Sequence, residues 1–343
     1  MSHGSYKKYM GWVQTLSPKS LTWLGSVIPI IITLTFTTPC SARMAKTRRQ
    51  VKVEVCKRVK DEVITSLTSF VRRQNPALWG MKRSRTFVGD LVLVTLYKDL
   101  FAIGYHTLCG EVKVWLPLAE RTMRHNMKEL RRLFSKWAEE RIKRGNLPEW
   151  KEAARGLKFS KELKGVCLWM DSSDFPLIGK EGASRKKRTW SFKLNGPGRR
   201  YMVLMDGEGK VRSIWGGYSP KVYDGDFLEL NKKWLEKKLE GATVVADTHF
   251  EWGSKHLEHV DFKTPIPQPR GRRKLTSDRV KIPKKLTHEQ EKYNTHVYSA
   301  RSRVENPFGR MEAKVDALTK PWREGKTQLD YLVLLAAALI NSG

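Results

Sequence analysis

The sequence predicts an α/β domain preceded by an all-helical region. Three observations carry this. Apolar side chains recur at helical spacing between Val51 and Arg144. From Lys161 onward the texture changes to short β-like runs and glycine-rich turns. Two of those runs end on an aspartate, Asp171 and Asp247. The expected organisation is an N-terminal extension over 1–45, a helical region over 46–145 and a connector over 146–163. An α/β domain over 164–343 follows, carrying a basic loop at 262–285.

Bulk properties narrow the function. The chain has 343 residues, long enough for two domains. Its 65 basic and 35 acidic residues give a formal charge of +30, more than solubility requires. A polyanionic partner explains such an excess. Nucleic acid is the first candidate and an anionic membrane surface the second. Hydrophobic residues make up 40%, with 12 Trp and 12 Phe, which excludes wholesale disorder. Cys40, Cys56, Cys109 and Cys167 lie far apart with no C-x-x-C pair. They read as reduced thiols of an intracellular, not secreted, protein.

The extension is unusual. Leu21 to Cys40 is uncharged and apolar, follows Lys7, Lys8 and Lys19, and is interrupted by Pro29. It is barely long enough to span a bilayer. A signal peptide or anchor is one reading, with Ser41–Ala42 as the small residues after it. We favour a disordered arm, or a start at Met44 with a basic N-terminus through Arg49, over a working membrane segment.

Within the helical region, Val51–Phe70 carries Val55, Val59, Val63, Leu67 and Phe70 at helical steps. Asp90–Ile103 is a second helix, closed by Gly104. Ala119–Trp137 is the most informative. Ala119, Met123, Met127, Leu130, Phe134 and Trp137 form one apolar stripe, and Arg121, Arg124, Lys128, Arg131 and Arg132 fall largely on the other side. Two readings stand: the recognition helix of a helix-turn-helix, or a structural helix with a solvated basic face.

Beyond the connector, strands are expected at Val166–Met170, Ser191–Leu194, Tyr201–Met205, Val211–Trp215 and Ala242–Ala246. Asp206–Gly207–Glu208–Gly209 turns the middle pair into a hairpin. Asp226–Leu239 reads as a helix, Phe262–Lys285 as an exposed proline-rich basic loop, and Thr287–Leu318 and Gln328–Ile340 as helices.

The chemistry rests on Asp171, Asp247 and Glu305. If the strands ending in the two aspartates are neighbours, both carboxylates emerge at one sheet edge. Glu305 then approaches from a helix whose Val304, Phe308, Met311, Val315 and Leu318 face the sheet. Three converging carboxylates require a compensating cation, and hard oxygen donors favour Mg²⁺ or Mn²⁺ over zinc. Two such ions about 4 Å apart suit phosphodiester chemistry. The bland alternative is that each aspartate caps its own turn and Glu305 is a surface residue.

Secondary signals surround this trio. Gly179–Arg200 interleaves Arg185, Lys186, Lys187, Arg188, Arg199 and Arg200 with Trp190 and Phe192. It is either a DNA-backbone groove with stacking aromatics or a mobile basic loop. Arg185–Arg188 and Arg270–Lys274 also fit a nuclear-import pattern. His249, His256 and His259 lack a standard zinc spacing. His249, beside Asp247, is the one placed to support the site or contact DNA. Tyr293, Asn294 and His296 either line the site or pack.

The segment from Lys164 to Leu318 resembles the DDE catalytic domain of PIF/Harbinger-type transposases and related bacterial insertion-sequence enzymes. The resemblance is carried by Asp171–Ser172–Ser173–Asp174–Phe175–Pro176–Leu177 and by the polar stretch Arg185–Leu194. It continues in Trp215–Gly216–Gly217 through Asp226 and in Val245–Ala246–Asp247–Thr248–His249–Phe250. Most specific is Arg301–Ser302–Arg303–Val304–Glu305–Asn306–Pro307–Phe308–Gly309–Arg310–Met311. This sequence departs from the family in having Ser172–Ser173 for Gly-Thr, a Pro307 that must kink a helix or open one, and a long loop at 262–285.

The resemblance implies a ribonuclease-H-like mixed five-stranded sheet with helices on both sides. It implies Mg²⁺- or Mn²⁺-dependent cleavage and strand transfer on double-stranded DNA, at transposon ends and target. Asp171, Asp247 and Glu305 would be catalytic and metal-ligating; Arg301, Arg303 and the basic loops would hold phosphates. It places a helix-turn-helix in the helical region and implies a homo-oligomer, a separate DNA-binding partner protein, and residence in a nucleus or nucleoid. The other reading is a domesticated descendant that binds DNA or protein without cutting.

Overall fold

The computed structural model describes residues 45–74, 85–142, 147–155, 157–178, 189–268, 285–302 and 306–342. The extension through Met44, Arg185–Arg188, most of the 262–285 loop, Arg303 and Glu305 lie outside the described residues.

The helical region contains α1 (Arg48–Cys56), α2 (Asp61–Gln74), α3 (Arg85–Leu100), α4 (Tyr105–Val112) and α5 (Glu120–Ile142). A capping box between Thr47 and Gln50 starts α1. The single helix expected over Val51–Phe70 is two. The apolar steps continue through a buried Val59 in the intervening turn, so the period does not register the break. Asp61 and Glu62 mark the new N-terminus instead. On α5 the stripe Met123, Met127, Leu130, Phe134 and Trp137 is buried as predicted. The connector holds a helix that was not expected, α6 (Leu147–Ala154), with Pro148 in its first turn, where a missing N–H costs nothing.

The strands are β1 (Val166–Pro176), β2 (Trp190–Ser191), β3 (Gly196–Asp206), β4 (Val211–Tyr218), β5 (Thr243–Val245) and β6 (Asp261–Lys263). The mixed sheet of five runs β4-β3-β1-β5-β6, and the two-residue β2 pairs with the start of β3. β3 runs antiparallel to both its neighbours, β1 and β4; β1, β5 and β6 run parallel.

Three expectations are corrected. β1 does not stop at Asp171 but continues to Pro176 against β3. Ser191–Leu194 is mostly turn: Leu194 N–H donates to Ser191 Oγ at 3.1 Å, and Asn195 takes a positive φ of 48° into β3. β6, too short to show alternation, occupies the start of the expected loop.

Alternation along β1 and β3 divides the core. Trp169, Phe175, Tyr201, Val203 and Met205 join one cluster with α1–α5 and the C-terminal helices. Those helices are α10 (His288–Ser302), α11 (Pro307–Lys314) and α12 (Lys326–Asn341). Leu168, Met170, Met202 and Leu204 join the other, with α6, α7 (Asp224–Leu230) and α8 (Lys232–Leu239). The one helix expected over Asp226–Leu239 therefore breaks at Asn231, whose side chain donates to Phe227 O at 2.9 Å. Leu230, expected on its apolar side, is exposed. α9 (Glu251–Ser254) is a single turn after β5. Pro307 opens α11, and Asn306 caps it by accepting from Phe308 and Gly309 N–H at 2.9 and 3.3 Å.

Residues 47–343 form one compact unit. Arg131 of α5 joins the helical region to the loop before α12. It donates to Asp99 at 2.8 and 2.6 Å and to Glu324 at 2.5 Å; Lys98 and Tyr105 reach Glu324 at 2.6 and 2.7 Å. Among the described residues no helix is long and apolar enough to cross a membrane. Cys56, Cys109 and Cys167 are free thiols.

Candidate active site

The parallel pairing of β1 and β5 sets the geometry. Trp169 lies opposite Val245, so Asp171 and Asp247 each follow two residues later at the same sheet edge. β5 ends at Val245, and β1 passes it by a further seven residues to Pro176. Asp171 shares a face with Trp169, whose indole N–H donates to Ala300 O at 3.0 Å and seats α10 there. The next residue, Arg301, forms an ion pair with Asp247 at 3.4 Å.

Both aspartates accept from the following backbone N–H: Ser172 N–H reaches Asp171 Oδ1 at 2.9 Å, and Thr248 N–H reaches Asp247 Oδ1 at 2.6 Å. The local capping role expected of a strand-end aspartate is therefore present, but each such bond engages one oxygen. Burial pushes the Asp171 carboxyl above the ordinary carboxylate range. The Ser172 N–H, Arg301 and Lys193 oppose this, the Asp247 charge adds to it, and the net direction is upward. Burial is the main cause of the rise, and the two carboxylates share this edge with Arg301 and Lys193.

On the opposite face of β1 lies a residue that sequence reasoning missed. Ser172 Oγ donates to Asp224 Oδ1 at 2.8 Å. Asp224 is buried at the start of α7, and burial raises its carboxyl, against Ser172, Arg200 and His249 and with Asp247. Asp226, at which the family resemblance of this segment ends, accepts instead from Tyr223 N–H at the helix start. The available signal was Gly225 beside Asp224. A Cβ there would meet the Trp252 ring at 2.7 Å, and one on Gly253 would meet Gly225 O at 2.2 Å, so α7 and α9 cross closely.

The basic residues sort differently from expectation. Arg121, Arg124 and Lys128 are exposed on α5; Arg124 pairs with Glu120 at 2.5 Å and lies 4.1 Å over the Tyr105 ring. Arg131, expected on the same DNA-facing side, has a side-chain exposure of 0% and belongs to the Asp99–Glu324 network. Its position four after Met127 places it on the edge of the buried stripe. Arg132 pairs with Glu129. Arg199 reaches Asp330 at 3.2 Å. Arg200 holds Asp174 at 2.8 Å and Val222 O at 2.9 Å, so these two serve ion pairs rather than an open groove. Lys193 reaches Ser173 Oγ at 2.9 Å, on the Asp171 face. Phe192 is exposed.

Asn294 packs rather than lining the site: its amide accepts from Ile266 N–H at 2.7 Å and donates to Ile266 O at 2.9 Å. Tyr293 lies against the core, and His296 faces Glu162 at 3.5 Å. His256 stacks edge-on to Trp252. The structure thus brings together Asp171, Asp247 and Arg301. Arg185, Lys186, Lys187, Arg188, Arg303 and Glu305 lie outside the described residues.

Among the described residues, no three His, Cys, Asp or Glu side chains gather closely enough to hold a metal ion. The donor chemistry of the described pair nevertheless suits a hard divalent cation: two carboxylates at one edge, one raised by burial and by the other's charge. A family model of DDE superfamily endonucleases matches residues 170–341, half of the chain. Comparison with curated proteins and with solved structures returns no match.

Proposed function

Given that the chain belongs to the DDE superfamily endonucleases, we propose that it is a transposase of the PIF/Harbinger type that cuts double-stranded DNA at transposon ends and joins it to a target. The observation that carries this is the placement of Asp171 and Asp247 at one sheet edge by adjacent parallel strands. Asp171, Asp247 and Glu305 would hold two Mg²⁺ or Mn²⁺ ions. When bound, the cation supplies Lewis acidity at the scissile phosphate and lowers the pKa of an attacking water or 3′-hydroxyl.

The chain's own residues do the rest. The net charge of +30 concentrates DNA around the molecule. Arg301, paired with Asp247 at 3.4 Å, stands within the site, where its guanidinium can engage a phosphate once Asp247 turns to a cation. Exposed Arg121, Arg124 and Lys128 on α5 offer further phosphate contacts, and the helical region 46–145 is read as the DNA-recognising part. A non-cutting descendant is the second reading; the Asp247–Arg301 pair, which satisfies the acid without metal, favours it.

Incubating the full chain with end-bearing duplex DNA and Mg²⁺ or Mn²⁺ separates the two. Strand cleavage abolished by Asp171→Asn, with DNA binding retained, is the expected result. Cleavage persisting in that variant would remove Asp171 from the mechanism. DNA binding should also weaken steeply with salt, and a flat response would reject the nucleic-acid reading.

A further inference from the structure

We propose that Asp224 is a positioning residue which, acting from the opposite face of the sheet through Ser172, fixes how the Asp171 carboxylate is presented at the site edge. This rests on the reading of Asp171 given above and assigns it a support.

The need for support follows from the sheet. β1 pairs with β5 only through Trp169, whereas its pairing with β3 continues, with Asp171 opposite Val203 and Ser172 opposite Met202. The Asp171–Ser172 peptide is thus braced by a strand on one side only. On the unbraced side the chain has left its parallel neighbour just before the residue on which the site depends.

Ser172 makes the two bonds that matter. Its N–H donates to Asp171 Oδ1 at 2.9 Å, and its hydroxyl donates to Asp224 Oδ1 at 2.8 Å. Fixing the hydroxyl fixes the residue, and with it the N–H that orients Asp171. Alternation puts Ser172 on the side of Met170 and Leu168, away from Asp171. Asp224 therefore acts through Ser172.

Asp224 is itself held. Arg200 Nη1 lies 3.5 Å from Asp224 Oδ1 and donates to Val222 O at 2.9 Å, while Nε and Nη2 grip Asp174 at 2.8 and 3.2 Å. Ser191 Oγ also donates to Asp174, at 2.6 Å. The chain from β2 through β3 to α7 thus ends on Ser172. A buried carboxylate facing the Asp247 charge is an unfavourable choice for packing alone. As an anchored acceptor for the Ser172 hydroxyl it has a use, and it accounts for a serine directly beside Asp171.

The test is Mn²⁺ binding to the full chain, measured by electron paramagnetic resonance, with thermal melts as a folding control. Ser172→Ala and Asp224→Ala should each weaken Mn²⁺ binding about 10- to 100-fold, the range typical for outer-shell partners of metal ligands. The double variant should lose no more than the larger single effect, because both act through one bond. Asp224→Asn, which keeps the acceptor oxygen, should recover most of the loss. In cleavage assays kcat should fall while KM for DNA holds.

Wild-type affinity in a folded Ser172→Ala or Asp224→Ala chain would overturn the proposal, as would full additivity. Should Asp224→Ala fail to fold, Ser172→Ala decides alone. Asp171→Asn separates the two levels. If it binds Mn²⁺ like wild type, the reading of Asp171 fails and this proposal with it. If it loses binding while the Ser172 and Asp224 variants do not, only the positioning role fails.

Discussion

Two groups of acids in this molecule are treated in opposite ways. Asp99 and Glu324 are buried among Arg131, Lys98 and Tyr105, with each carboxylate gripped by charged donors. Burial alone would raise Glu324, but Arg131 and Lys98 outweigh it and hold the carboxyl down at about 2. Asp171 meets similar burial with a single backbone N–H, two cations at longer range and a second carboxylate, and its pKa goes up. Paired acids hold the helical region to the loop before α12. Asp171, raised chiefly by burial, has no such grip and stands beside a second carboxylate.

The largest expected effect is on the second group. Asp171→Asn should lower cleavage about a thousandfold or more, the scale of several kcal/mol of charge stabilisation at a phosphoryl centre. Gel-based strand-cleavage assays check this. Next is the first group. Arg131→Met strands Asp99 and Glu324 without their guanidinium and should cost about 3–5 kcal/mol in urea unfolding.

The two groups should also respond oppositely to pH. Glu324 is depressed from an ordinary 4.5 to about 2. Its contribution is present above 4.5 and lost as pH falls through about 2, of order 3 kcal/mol. Glu324→Gln should remove that part of the acid dependence of urea unfolding. Asp171, raised, has the opposite sign. Its ionised form costs stability once pH exceeds its folded pKa, so Asp171→Asn should leave the apo chain as stable as wild type or slightly more so. Smallest is the loss of a helix cap: Asn306→Ala should cost about 1 kcal/mol in urea unfolding by removing the α11 cap.

Much of this was legible in the sequence. Strong periodicity gave the α5 stripe, and the Asp206–Gly209 turn gave the β3–β4 hairpin. Apolar runs ending at Asp171 and Asp247 placed both acids at one edge. What was hidden is hidden for physical reasons. Helix breaks after Cys56 and at Asn231 leave the apolar period intact. β1 continues past Asp171 because its partner there is β3, a fact about pairing rather than local composition. Arg131, Arg199 and Arg200 read as DNA contacts because a charged residue's partner is set by tertiary structure. Asp224 escaped because its role exists only through Ser172, 52 residues earlier.

The central claim is that the Asp171–Asp247 edge is a cation site while the Asp99–Glu324 group is not. Melting the wild type, Arg131→Met and Asp171→Asn with and without Mn²⁺ tests it directly, because a ligand that binds the folded state raises Tm. Wild type and Arg131→Met should rise together from different baselines, and Asp171→Asn should not rise. An equal rise in Asp171→Asn would contradict the account.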